Sequence, residues 1–99
     1  MPTLLLTNAE RKELKSRAHP LNPVVLVGGA GLTQAVLQEI DRALASHELI
    51  KVRLAGADRE RREQVAEDVA EALSCAVVQI IGNILVLFRP SPDEEEHGA

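Results

Sequence analysis

Apolar and polar positions along this chain follow three patterns that predict its secondary structure. Residues 33–46 carry apolar side chains three and four positions apart, which is typical of one face of an amphipathic helix. Residues 49–54 alternate apolar with polar positions, as a half-buried strand does. Residues 24–27 and 84–88 are continuous apolar runs, which indicates buried strands, the second of them central and covered on both faces.

Local signals predict where the remaining elements begin and end. Thr7 and Glu10 have the spacing of a capping box, so a first helix is predicted from there to about residue 18. Asp58 is a good N-cap for a third helix. The Gly-Asn pair at 82–83 separates two apolar runs and predicts a hairpin.

The predicted element order is α-β-α-β-α-β-β. Each β-α-β crossover requires parallel strands and a right-handed connection, and the final hairpin adds an antiparallel strand. The sequence therefore predicts an α/β (α+β sandwich) fold, in which helices pack on a four-stranded mixed sheet.

Length and charge predict one domain with an acidic tail. The 99 residues suit a single domain over residues 1–90, and the formal net charge is −4. Asp93 and the glutamates at 94–96 account for that whole imbalance, because the rest of the chain has equal numbers of acidic and basic residues. Residues 91–99 are predicted to be a disordered tail, and the balanced body can still carry a basic face.

Composition argues against several classes of function. The chain has one Phe and neither Tyr nor Trp, so a platform of stacked aromatic rings for nucleic-acid bases is not expected. Cys75 is the single cysteine, so no internal disulfide can form, and no His/Cys cluster has metal-ligand spacing. Its place at the start of an apolar stretch favours a small buried apolar side chain over a nucleophile. No stretch has the length of a membrane span or the form of a signal peptide, so we expect a cytoplasmic protein with no membrane partner.

A glycine-rich loop follows the first predicted strand and is the principal candidate for a binding site. Gly28, Gly29, Ala30 and Gly31 lie between that strand and Thr33, which is placed to cap the second helix. A strand, a glycine loop and a helix start together direct backbone N–H groups and the positive end of the helix dipole outward, so a phosphate is the expected ligand. The alternative is that the glycines serve only to turn the chain tightly.

Cations near this loop extend the candidate site. The first helix has an excess of positive charge, and two cations share one face of the second strand; the candidates are Lys12, Lys15, Arg17, Lys51, Arg53 and Arg89. Each group could instead be an idle solvated surface. The first turn of the third helix, with Arg59, Arg61 and Arg62, is interpreted as a salt-bridged surface without a binding role.

Five segments of the chain resemble one family. They are 14–21, which contains His19-Pro20-Leu21; 23–33, which contains the glycine loop; 47–52; 79–82; and 85–89. In this order they resemble the YhbY-like RNA-binding proteins, single-domain bacterial members of the chloroplast RNA splicing and ribosome maturation (CRM) domain family. The resemblance implies an RNA-binding domain with a Gly-x-x-Gly loop similar to that of KH domains. It also implies a fold similar to the C-terminal domain of the third translation initiation factor, and association with precursors of the large ribosomal subunit.

The chain departs from that family at two places. Family loops often carry a basic or polar residue between the glycines, where this chain has Gly29 and Ala30. The loop would then depend on its backbone amides, with cations supplied from elsewhere. The family commonly has Tyr at the position of Phe88, so a contact through that hydroxyl is absent, and the acidic tail has no counterpart in the resemblance.

The sequence is compatible with three functions. The first is RNA binding without chemistry, with ribosomal RNA in pre-ribosomal particles as the expected partner and with no cofactor or small-molecule substrate. The second is a protein-interaction adaptor in which the loop is only a turn. The third is an enzyme or a nucleotide-binding protein, which is disfavoured because the loop lacks the Lys-Ser/Thr ending of a P-loop and the spacing of a dinucleotide fold.

Overall fold

The computed structural model describes residues 5–91, which form three helices and four strands. These elements are α1 (Asn8–Ala18), β1 (Pro23–Val27), α2 (Gln34–His47), β2 (Leu49–Leu54), α3 (Arg59–Leu73), β3 (Ala76–Ile81) and β4 (Ile84–Phe88). The predicted fold class and element order are confirmed. Apart from Ser91, the predicted acidic tail lies outside the described residues.

The four strands form one mixed sheet in the order β1-β2-β4-β3. β1 and β2 are parallel, whereas β4 is antiparallel to both of its neighbours, β2 and β3. The hairpin therefore folds β4 back into the space between β2 and β3. The second crossover, through α3, consequently joins two strands that run in the same direction without pairing.

Side-chain caps begin all three helices where the sequence predicts them. The Thr7 hydroxyl accepts a bond from the Glu10 amide at 3.0 Å, and the Glu10 carboxylate accepts one from the Thr7 amide at 2.8 Å, which completes the capping box. Thr33 and Asp58 accept bonds from the third amide of α2 and of α3 in the same way. These bonds satisfy amides that have no partner within the helix.

The sheet carries a separate hydrophobic cluster on each face. α2 and α3 cover one face, which we call the two-helix face, and pack on β-strand side chains that include Val25, Val52 and Leu85. α1 lies on the other face, the α1 face, where Leu14 and Ala18 pack on Leu49, Val78 and Val86. β4 contributes fully buried side chains to both clusters, as its continuous apolar run predicts.

One edge of the sheet brings together the loops that contain the candidate site. Because β1 and β2 are parallel, their carboxyl ends meet at the same edge, which we call the carboxyl edge. The amide of Ala55 donates to the carbonyl of Val27 there, and the amide of Leu54 donates to the carbonyl of Asn83 in the hairpin turn at 2.7 Å. The glycine loop, the start of α3 and the hairpin turn are therefore neighbours. No helix within residues 5–91 has the length and apolarity needed to cross a membrane.

Candidate nucleic-acid interface

The glycine loop lies at the carboxyl edge between β1 and α2. Gly28, Gly29 and Ala30 are exposed, whereas Gly31 is buried. Two backbone bonds of 3.0 Å hold the bend, from the amide of Gly31 to the carbonyl of Gly28 and from the amide of Thr33 to the carbonyl of Gly31. The loop is thus a fixed, outward-facing turn.

The glycines of this loop have different physical roles. Gly31 has φ +81°, a backbone conformation that residues other than glycine rarely adopt. A Cβ atom added at Gly28 or Gly29 would have no atom within 4 Å, so crowding does not explain why either residue is glycine. What these two glycines provide is bare exposed backbone, which lets a ligand approach the main chain closely.

Arg61 lies against this loop, although the sequence analysis assigned it no role. Its Nη2 atom is 2.6 Å from the position that a Cβ atom of Gly31 would occupy. The guanidinium, the loop and Gly56 line a groove of about 130 Å³ at the carboxyl edge. One signal in the sequence could have predicted that Arg61 lies beside the loop. α3 follows β2, and because β1 and β2 are parallel, the start of α3 lies at the same edge as the loop that follows β1.

The other two arginines at the start of α3 have structural partners. Arg59 forms a 3.7 Å ion pair with Glu63, and both side chains are largely exposed. Arg62 donates to the carbonyl of Ala57 at 2.8 Å and to Oδ1 of Asn83 at 3.3 Å, which ties α3 to the hairpin turn. The predicted salt bridge is therefore present at Arg59, whereas Arg61 and Arg62 form no ion pair within residues 5–91.

Lys51 and Arg53 extend from β2 on the α1 face, as the alternation predicts. The Nζ atom of Lys51 donates to the carbonyls of His19 and Leu21, at 3.3 and 3.0 Å, so it fastens the connection between α1 and β1. An ammonium has three donors, and these two bonds use two of them. Arg53 is exposed and lies opposite Leu26 in the register, and its side chain has no hydrogen-bond or ion-pair partner within residues 5–91.

The exposed cations of α1 point to two different places. Lys12 and Lys15 are three residues apart and therefore lie on the same side of the helix. Lys15 and Lys51 line one groove of about 640 Å³ between α1 and the sheet. Arg17 instead lines a groove with His47 and Leu49, at the amino ends of the parallel strands and away from the glycine loop.

Arg89 is not brought to the loop, contrary to its place among the predicted site residues. It follows β4, whose last residue pairs with Leu49, so it lies at the edge of the sheet opposite the carboxyl edge. Its guanidinium donates to Oδ1 of Asp41 at 2.8 Å and to the carbonyl of Leu73 at 3.1 Å. These bonds fasten α2 and α3 to the end of the sheet, which is a structural role.

Cys75, His19 and His47 are the remaining side chains of the described residues that often take part in chemistry. Cys75 is fully buried, and this burial raises the pKa of its thiol to about 11, although the nearby charge of Arg89 acts in the opposite direction. Such a thiol carries very little thiolate near neutral pH. His19 and His47 are both exposed, the first at the C-cap of α1 and the second at the last residue of α2. Residues 5–91 contain no group of three side chains suited to a metal ion.

Comparison with known proteins identifies the family. The sequence model of the CRS1 / YhbY (CRM) domain matches residues 6–89. A protein of Haemophilus influenzae named RNA-binding protein is 51% identical over 88 residues, which cover 89% of either chain. A probable RNA-binding protein of Pseudomonas aeruginosa is 40% identical over 89 residues, 90% of this chain and 86% of that one. The solution structure of a hypothetical protein from Staphylococcus aureus superposes with a TM-score of 0.81 at 32% identity, covering 93% of this chain and 96% of the other. The chain therefore belongs to the CRS1 / YhbY (CRM) domain family.

Proposed function

We propose that this protein binds RNA through its glycine loop and the cations beside it, without carrying out a chemical reaction. The observation that supports this most strongly is the exposed backbone of Gly28–Ala30 with an arginine on either side. Arg53 lies next to the end of β1 on the α1 face, and Arg61 lies against Gly31 at the start of α3. Two relatives that align over most of this chain are named as RNA-binding or probable RNA-binding proteins.

In this mechanism the RNA backbone contacts the loop first. Amides of the loop and the start of α2 donate to phosphate oxygens, because a helix N-terminus and bare glycine backbone suit an anion. Lys12, Lys15, Lys51, Arg53 and Arg61 add attraction that depends on salt. Arg17 and Arg89 are outside this set, since one faces the opposite strand ends and the other is fastened to α2 and α3.

Precursors of the large ribosomal subunit are the RNA partner that we propose. The support is the family resemblance, in which the loop, the His-Pro-Leu sequence and the last strand occur in the same order. Crosslinking in cells followed by sequencing of the recovered RNA tests this assignment. Enrichment of large-subunit ribosomal RNA is the expected result, and recovery of unrelated transcripts alone would refute it.

A charge series at Ala30 tests the role of the loop. Ala30 is exposed in the middle of the loop, so Ala30→Asp, Ala30→Asn and Ala30→Lys can be compared with little effect on the fold. We expect affinity for RNA to fall in the order Lys, Asn, Asp, with Asn as the neutral control that nearly matches Asp in shape.

If about four phosphates are neutralised, affinity should also fall roughly as the third power of the salt concentration.

The same series separates RNA binding from an adaptor role. If the protein is an adaptor that contacts only proteins, Ala30→Asp and Ala30→Asn should have equal effects on the amount of RNA retained. Any RNA that it retains should also be lost once the protein partner is removed. The measurement is fluorescence anisotropy of a labelled RNA with purified protein at several salt concentrations. Circular dichroism confirms that each variant is folded.

A further inference from the structure

One row of side chains on the α1 face stays open beside the glycine loop. Register pairs Leu26 with Arg53, Arg53 with Ile84, and Ile84 with Ile81, so these four residues cross the whole sheet in a line. We call this line the carboxyl row. Three strand spacings of about 4.8 Å make it roughly 14 Å long.

The carboxyl row is unusually apolar for an open surface. Leu26 is 56% exposed and Ile81 is 49% exposed, although both belong to strands whose inward positions already supply the core. Strand positions that no helix covers are ordinarily polar. Val24, at the preceding outward position of β1, is also 49% exposed and extends the apolar surface. Exposed apolar side chains at both ends of the row, on either side of Arg53, are typical of a place of interaction.

The charged side chains that the strands contribute to the α1 face are both positive. Arg53 lies within the carboxyl row, and Lys51 occupies the next outward position of β2, beside the groove that Lys15 also lines. No carboxylate occupies an outward strand position of the α1 face within the described residues. Among the strand positions of this face, the polar side chains beside the row are cations and one amide, Gln79. Such a surface complements a ligand that has flat apolar faces and is strongly anionic.

We infer that the carboxyl row holds the bases of an unpaired RNA strand whose phosphates lie on the glycine loop. This inference rests on the proposed function and specifies the form of the RNA. Leu26 is two residues before Gly28, which is about 7 Å along the strand, within the reach of a single nucleotide. In a duplex the base faces are stacked on one another, so only an unpaired strand can place them against Leu26 and Ile81.

The chemistry of the row favours RNA over a second copy of the chain. In a symmetric pair of chains joined through this surface, each residue meets the same set on its partner. Arg53 and Lys51 would then face the cations of the other copy, and no strand position of this face within residues 5–91 supplies a carboxylate to offset them. A different protein that bound here would need an apolar surface rich in acidic residues, and capture of such a protein is one outcome of the test.

Leu26→Gln and Ile81→Gln test the inference with the full chain. Each removes apolar surface from one end of the row while keeping a side chain of similar length, and both sites are far enough exposed for the fold to tolerate the change. Leu5→Gln is the matched control, because Leu5 is 87% exposed and belongs to none of the strands. The probes are a labelled single-stranded RNA of about 12 nucleotides and a hairpin in which the same nucleotides are paired.

We expect Leu26→Gln and Ile81→Gln to weaken binding of the single strand about three- to tenfold, the scale of losing part of a buried leucine. Binding of the hairpin, and the slope of affinity against salt, should stay as in the unmodified chain, because no cation is removed. Unchanged affinity for the single strand, or equal losses for strand and hairpin, would overturn the inference. Self-association or capture of an acidic protein that Leu26→Gln abolishes, with RNA binding intact, would also overturn it.

Failure of the inference can be told apart from failure of the proposed function. If the unmodified chain binds RNA with a steep salt slope and Ala30→Asp weakens it, the loop mechanism stands whatever the row variants do. If the unmodified chain binds neither probe, both proposals fall together. The Ala30 and Leu26 variants are therefore measured side by side on the same two RNAs.

Discussion

At the scale of single residues, Gly31 is the position where backbone conformation and the candidate site meet. Its φ of +81° is strained for any other residue, and its missing Cβ leaves space for the Arg61 guanidinium. We predict that Gly31→Ala lowers the free energy of unfolding by about 1 kcal/mol or somewhat more, mainly through the backbone conformation. Denaturation in urea measures the loss.

Two further variants separate the causes of that loss. Gly29→Ala is the control, because a Cβ atom there meets nothing within 4 Å and no positive φ is involved, so its effect should stay within about 0.5 kcal/mol. If the loss from Gly31→Ala vanishes in an Arg61→Ala background, contact with the guanidinium rather than the backbone would be its cause. We expect most of the loss to persist, because the end of an arginine side chain can move aside.

At the scale of elements, the sequence predicts more of the fold than of the site. Caps at Thr7, Thr33 and Asp58 and the periodicity of the apolar residues are local signals, so helix and strand positions followed directly from them. The insertion of β4 between β2 and β3 depends on pairing between distant segments, which no local signal carries. The position of Arg61 beside the loop and that of Arg89 at the opposite edge were missed for the same reason, because each side chain is placed by the order of the strands.

Arg11 shows how one element is fastened to the sheet. Its Nη1 atom donates to the carbonyls of Val77 and Val78, at 2.6 and 2.8 Å, where the β3 register shifts between Val77 and Gln79. We predict that Arg11→Met lowers the free energy of unfolding by roughly 1–3 kcal/mol, because two partly buried carbonyls lose a charged donor. Lys12→Met is the control, since Lys12 is exposed, and the two urea denaturation curves should differ clearly in midpoint. Equal midpoints would show that α1 docks through its apolar side chains alone.

At the scale of the whole molecule, the arrangement of charge matters more than its sum. The formal net charge of −4 would repel RNA if it were spread evenly. Instead, the exposed cations near the loop lie on the α1 face and at the carboxyl edge, while Asp41 is paired with Arg89 at the opposite edge. Because exposed charges farther apart than a Debye length of about 8 Å are largely screened at physiological salt, an RNA at the loop responds chiefly to nearby cations.

A pair of variants with identical net charge tests this argument. Arg53→Gln and Arg42→Gln each remove one exposed positive charge, but Arg53 lies in the carboxyl row and Arg42 lies on α2, the helix that covers the opposite face. We predict that Arg53→Gln weakens RNA binding about three- to tenfold and reduces the slope of log affinity against log salt by about 0.7, the value of one phosphate contact with a single strand. Arg42→Gln should leave both quantities close to those of the unmodified chain. Equal weakening by the two substitutions would mean that RNA senses the net charge of the molecule, and the cations beside the loop would then have no special role in binding.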